Sequence, residues 1–127
     1  MLNIKWYTVG TTRLTVCVGR YAFKFARSQR GRDGNRRERL EWHRATLERR
    51  EMLCPIVWAA PYGLLNVMPR AVPLTREDQL RRLANDDFPD WDYMPCGPGE
   101  PFEYKESDWG YLDGRLVALD YAGASDE

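Results

Sequence analysis

The sequence predicts an α+β domain: a mostly antiparallel five-stranded sheet packed with one main helix, then a short helix and a C-terminal β-hairpin. Three observations carry this expectation. Short runs rich in β-branched and aromatic residues are separated by glycine turns over the first 26 positions. A run of good helix formers without Gly or Pro follows Asn35. Near the end, Asp113-Gly114 sits between apolar flanks, and such a pair accepts the positive φ that a two-residue hairpin turn requires. A chain of 127 residues suits one domain with one modest core.

The elements follow in order. Residues 3–9 hold Ile4, Trp6, Tyr7, Thr8 and Val9, and read as a first strand. After the turn Gly10–Arg13, residues 14–18 read as a second strand. Gly19-Arg20 turns the chain into a third, Tyr21–Ala26. Strand periodicity puts Tyr21, Phe23 and Phe25 on one face, and Ala22, Lys24 and Ala26 on the other. Lys24 therefore has two readings. Its small neighbours leave room for it to line a cleft, or it marks a solvent face with the aromatics inside.

Asn35-Arg36-Arg37-Glu38 has the pattern of a capping box, predicting a helix from Asn35 to about Glu51. Its expected apolar stripe is Leu40, His43 and Leu47, with Trp42 and Ala45 beside it. Glu38 is either a structural cap or an inward-pointing ion-pair partner. Cys54-Pro55 ends the helical region. Residues 56–60 and 64–68 read as a fourth and a fifth strand, joined by the turn Pro61-Tyr62-Gly63. Thr75 is positioned to cap a short helix, Arg76–Ala84, with Glu77 and Asp78 in its first turn. Residues 85–101 read as an irregular segment pinned by Trp91 and Tyr93. The final hairpin carries Asp108 before its first strand and Asp120 after its second. Those two carboxylates are expected close together, either sharing a divalent metal or simply solvated.

Composition narrows the function classes. Hydrophobic residues make up 43% of the chain and aromatics 13%, which suits a globular protein. The formal net charge is zero, so bulk electrostatics give no reason to expect nucleic-acid binding. Arg27–Arg50 is nonetheless strongly cationic and the last thirty residues acidic. Cys17, Cys54 and Cys96 are far apart and odd in number, which reads as structural thiols of a cytoplasmic protein. His43 lacks partners that would make it a metal ligand. Neither a leader sequence nor a membrane-spanning run is expected.

The order strand, strand, strand with lysine, helix with glutamate, strand, strand resembles the small lobe of a protein kinase. Ala22-Phe23-Lys24 resembles the family's V-A-I-K motif. The resemblance implies that Lys24 binds nucleotide phosphates and that Glu38, or else Glu41, orients it. It implies that Val67 and Met68 lie at the hinge that receives the adenine. Glu103–Asp108 aligns with the catalytic loop, so Glu103 falls at the catalytic base, Lys105 at the loop lysine and Asp108 at a metal ligand. Asp120-Tyr121-Ala122 falls at Asp-Phe-Gly, making Asp120 the second metal ligand. ATP and Mg²⁺ would be the cofactors. The chain then divides into a small-lobe-like part (1–71), a short helix and irregular segment (72–102), and a catalytic-loop-like segment with its hairpin (103–122).

The departures decide the expected function. Only Gly10 and Gly19 flank the first hairpin, where the family has a glycine-rich phosphate loop. His-Arg-Asp is replaced by Pro101-Phe102-Glu103, the loop asparagine by Asp108 and the last glycine by Ala122. An activation segment and the helical large lobe are missing from the resemblance. The expectation is a non-catalytic binding or regulatory module working through a protein partner or self-association. The alternatives are a minimal ATP/Mg-dependent phosphotransferase, and a small phage- or host-type interaction protein unrelated to kinases.

Overall fold

A computed structural model describes residues 4–9, 12–89, 91, 101–104 and 108–122. The expectations placed on Gly10, Tyr93, Cys96 and Lys105 lie outside these residues. The architecture is α+β with two antiparallel sheets.

Strands β1 (Ile4–Val9), β2 (Arg13–Val18) and β3 (Tyr21–Ala26) form an antiparallel meander. Gly19 closes the second turn at φ 58°, a conformation that glycine adopts without strain. Helix α1 (Gln29–Arg44) and the single turn α2 (Leu47–Arg50) follow. Strands β4 (Trp58–Ala59) and β5 (Leu65–Pro69) complete the first sheet, whose order is β1-β2-β3-β5-β4. The second sheet is β6 (Val72–Pro73), β7 (Trp109–Leu112) and β8 (Arg115–Ala118), in that order. Helix α3 (Arg76–Ala84) lies between β6 and β7 in sequence, and Thr75 caps it by accepting from the Asp78 amide. Asp113 and Gly114 both have positive φ, 52° and 81°, as the hairpin turn demands.

The helical region departs from expectation in three ways. First, α1 begins six residues before Asn35, and its cap is Ser28, which accepts from the Gly31 amide. The capping box is not used. Asn35 is fully buried mid-helix, and its side chain donates to the carbonyls of Lys24 and Gly63. Second, the backbone leaves the helix at Ala45, where ψ is 141°, and Thr46 starts a separate turn by capping α2. Third, the stripe Leu40, His43 and Leu47 faces outward, with Leu40 at 53% and Leu47 at 82% exposure. The face turned to the sheet carries Gly31, Gly34, Asn35, Glu38 and Glu41 instead. The polar stripe is inside because β2 and β3 bury cations that need partners there.

Gly31 permits the close approach of α1 to the sheet. A Cβ at this position would run into the backbone carbonyl of Thr12, which cannot move aside without shifting β2. Gly31→Ala is expected to lower stability by about 1–3 kcal/mol, the usual cost of overpacking, despite alanine's better helix propensity. Chemical denaturation of the variant checks this, and an unchanged midpoint would contradict the contact.

The main core gathers Leu53, Met68, Trp91, Phe102, Trp109 and Tyr121, among others. Trp91 is 2% exposed, and the Arg49 guanidinium lies 4.6 Å from its ring centroid. Arg49 also donates to the Trp91 carbonyl, so the ring expected to pin the irregular segment is itself held from α2.

Candidate functional site

The centre of the molecule is a closed ionic cluster between the two sheets. The strand alternation that puts Tyr21 and Phe25 outside turns Lys24 inward, where it is 5% exposed. Its ammonium donates to Glu38 Oε2 at 2.9 Å and to the Leu119 carbonyl. Glu38 is 0% exposed and lies one helical turn beyond Asn35 on the inner face of α1. Its carboxylate also receives Arg13 NH1 at 2.9 Å, the Tyr121 amide at 3.0 Å and Asn66 Nδ2 at 3.4 Å. Arg13 reaches across with its other nitrogen to Asp120 Oδ1 at 2.8 Å. Two buried cations thus meet two carboxylates, and the cluster is neutral.

Charge coupling follows from this geometry. Burial pushes the Glu38 carboxyl up, but Arg13 and then Lys24 outweigh it and hold the group down at about 2. Burial opposes the charge on Arg13, yet Glu38 and then Asp120 hold its pKa above the ordinary arginine value. The Tyr121 phenol is pushed well above its usual range, first by burial and then by Glu38. It donates to the Cys54 carbonyl at 2.6 Å. Burial also raises the Cys54 thiol to about 12, which leaves it unreactive at neutral pH.

The structure therefore brings Lys24, Glu38 and Asp120 into one network. The final hairpin positions Asp120 by register: Trp109 pairs with Ala118, and the Leu119 amide donates to the Asp108 carbonyl at 2.7 Å. Asp108 thus lies at the same end of the hairpin and is 3% exposed. Glu103 sits in the aromatic core, where its carbonyl accepts from the Trp109 indole at 2.8 Å. Val67 and Met68 lie in β5, and the Val67 carbonyl accepts from the Val57 amide at 2.8 Å. Glu41 is partnered by Arg44 of its own helix.

Sequence reasoning gives Arg13 only to a turn and Asn35 only to a helix cap, and gives the Asn66 side chain no role. Extending the second strand by one residue puts Arg13 on the same face as Lys24, opposite the small Ala26. That register was the signal available. Asn66 stands opposite Lys24 on the neighbouring strand, and its amide also donates to the Asn35 carbonyl at 3.0 Å.

The residues present do not fit Mg²⁺ with a nucleotide. Asp120 already bonds Arg13 and the Ala122 amide, and Glu38 is saturated by four donors. A metal ion at Asp120 would have to sit beside the Arg13 guanidinium, whose charge repels it. Among the described residues no three His, Cys, Asp or Glu side chains gather so as to hold a metal ion, and no helix is long and apolar enough to cross a membrane. No family model matches the chain, and neither curated proteins nor solved structures give a match.

Proposed function

We propose that this chain is a non-catalytic, kinase-like binding or regulatory module that acts in the cytoplasm through protein contacts. The Arg13–Glu38–Lys24–Asp120 cluster is the observation that carries this reading. The lysine–glutamate pair between a third strand and the following helix supports the kinase-like part, as does the five-stranded, small-lobe-like order of the first sheet. The arrangement of Asp120 supports the non-catalytic part. In a kinase, metal ions bound at this acid neutralise the phosphate charge. Here a buried arginine bonds the acid instead. The pair works as a fold-defining lock between α1, β2, β3 and the final hairpin. Such a polar centre specifies one arrangement of elements more than it adds net stability.

The Lys24–Glu38 pair also suits the second reading, a minimal phosphotransferase with Glu103 as base. A thermal-shift titration with ATP and Mg²⁺ separates the two. Ligand that binds only the folded state raises its unfolding temperature by mass action. The expected outcome is no metal-dependent rise at millimolar ligand. A rise that disappears in both Lys24→Ala and Asp120→Ala would sink the non-catalytic reading and establish a nucleotide site.

A further inference from the structure

Helix α1 meets the turn Pro61–Gly63 along a groove of about 430 Å³. Ligand sites commonly enclose roughly 300–1,000 Å³. One wall is the exposed side of α1, with Arg36, Arg39 and His43. Helical spacing puts them there: residues three and four apart share a face, and these three are spaced by three and then four. The other wall is Ala60 and Tyr62, and the buried amides of Asn35 and Asn66 form the floor. No acidic side chain lines the groove among the described residues. Arginines that serve the fold are engaged elsewhere: Arg13 in the ionic cluster, Arg44 with Glu41, Arg49 on Trp91 and Arg50 on Trp42. Among the described residues Arg36 meets Asp33 alone, at 3.4 Å on the surface, and Arg39 has no ion-pair partner.

Tyr62 is an independent observation. Its backbone is left-handed, with φ 63° and ψ 18°, while its side chain is 72% exposed. Bulky residues rarely adopt this conformation, and it persists only where the surroundings impose it. Here Asn35 Nδ2 donates to the Gly63 carbonyl at 2.9 Å, and a Cβ at Gly63 would run into the Arg32 carbonyl. The fold thus holds the turn and leaves the ring outside, where glycine would suit the backbone better.

We infer that this groove binds an acidic segment of a partner protein in extended conformation, with carboxylates on the α1 wall and apolar side chains on the Tyr62 wall. The inference deepens the proposed function by naming the surface and the partner's chemistry, and it rests on that reading only for the claim that the chain works through protein contacts. Charge complementarity identifies the occupant, since guanidinium groups take carboxylates through paired hydrogen bonds. The donors are spread out and do not converge on one point. A helix rises 1.5 Å per residue, so Arg36 and His43 stand roughly 10 Å apart along the axis. A single small anion cannot span that distance. An extended chain places alternate side chains on one face at intervals of about 6.8 Å and turns the others to the opposite face. An alternating acidic and apolar segment therefore matches both walls at once. Nucleic acid fits less well, because the net charge of the chain is zero and Tyr62 alone offers no row of rings for successive bases.

Fluorescence anisotropy of the full chain tests this, with a fluorescein-labelled peptide of about ten residues that alternates glutamate with leucine, in about 0.15 M salt to screen long-range attraction. Saturable binding is expected, and replacing the peptide's glutamates by glutamine is expected to abolish it. Arg39→Glu is expected to weaken binding by about 30-fold and Tyr62→Gly by about tenfold. Tyr62→Gly also relieves the left-handed backbone, so its unfolding midpoint should hold or rise while its binding falls. Arg76→Glu, on α3 outside the groove, makes the same change in net charge and is expected to leave binding unchanged. Absence of saturable binding up to about 300 μM protein overturns the inference. Equal weakening by Arg39→Glu and Arg76→Glu overturns it as well, since bulk charge would then suffice. A single-stranded oligonucleotide of the same length that displaces the peptide at lower concentration would assign the groove to nucleic acid and overturn it too. The ATP and Mg²⁺ titration probes Lys24 and Asp120 and not this groove, so the two readings fail separately.

Discussion

Replacing Glu38 with Gln is expected to cost about 3–5 kcal/mol of folding stability at pH 7, because it leaves the buried Lys24 ammonium without a carboxylate and Arg13 with Asp120 alone. Glu38 accepts from Lys24, Arg13, Asn66 and the Tyr121 amide at once and is 0% exposed. Acid should reproduce part of the same loss in the wild type. The Glu38 carboxyl is lowered from 4.5 to about 2 on folding. The unfolded chain therefore takes up this proton first as the pH falls. The stabilisation is complete above about pH 4.5 and is lost between there and pH 2. A shift of that size corresponds to on the order of 3 kcal/mol. Urea denaturation of both proteins from pH 7 to pH 2.5 checks the pair of expectations. The variant should start less stable and lose less on acidification. A double variant, Lys24→Met with Glu38→Met, should recover part of the loss, since it removes one cation together with the carboxylate. A Glu38→Gln protein within 1 kcal/mol of the wild type would show that the cluster is not coupled as described.

Trp109→Ala is the second large effect, expected at about 3–5 kcal/mol, the usual range for deleting a large buried aromatic. Trp109 is 0% exposed at the start of β7. Its ring meets Phe88 at 5.1 Å, Phe102 at 4.9 Å and Tyr104 at 6.1 Å between centroids. Its indole N–H donates to the Glu103 carbonyl. This one side chain therefore ties residues 88 and 102–104 to the hairpin that carries Asp120. Trp109→Phe keeps most of the packing and loses the donor, so it should cost less, about 1–2 kcal/mol. Denaturation midpoints of the two variants and the wild type give the order. Equal losses for Phe and Ala would mean that the hydrogen bond, and not the packing, dominates.

Local chemistry made several elements legible. Alternation and glycine turns located β2 and β3, whose bounds differ from expectation by one residue or none. Asp113-Gly114 announced its hairpin, and Thr75 its helix, since both signals act within a few residues. The run 56–60 overstated its strand, which narrows to Trp58–Ala59 as the chain bends into the turn at Pro61. β6 was not anticipated, because two residues make a strand only when β7 lies beside them.

In the candidate site, Lys24 and Glu38 were paired only by the resemblance to a kinase small lobe, since the strand period left Lys24 on either face and the helix period pointed to Leu40, His43 and Leu47 as the inner stripe. Arg13 and Asn66 did not enter that pairing, because their roles depend on register across strands far apart in sequence. The amino-acid sequence by itself determined the alternation of each strand, and so which side chains share a face. Only the tertiary structure decided which face is buried. An apolar face would ordinarily turn inward, but Lys24 and Arg13 find their counter-charges only on α1 and the final hairpin. Burying those cations required α1 to present Glu38 and Asn35, which left Leu40, Phe25 and Tyr21 at the surface.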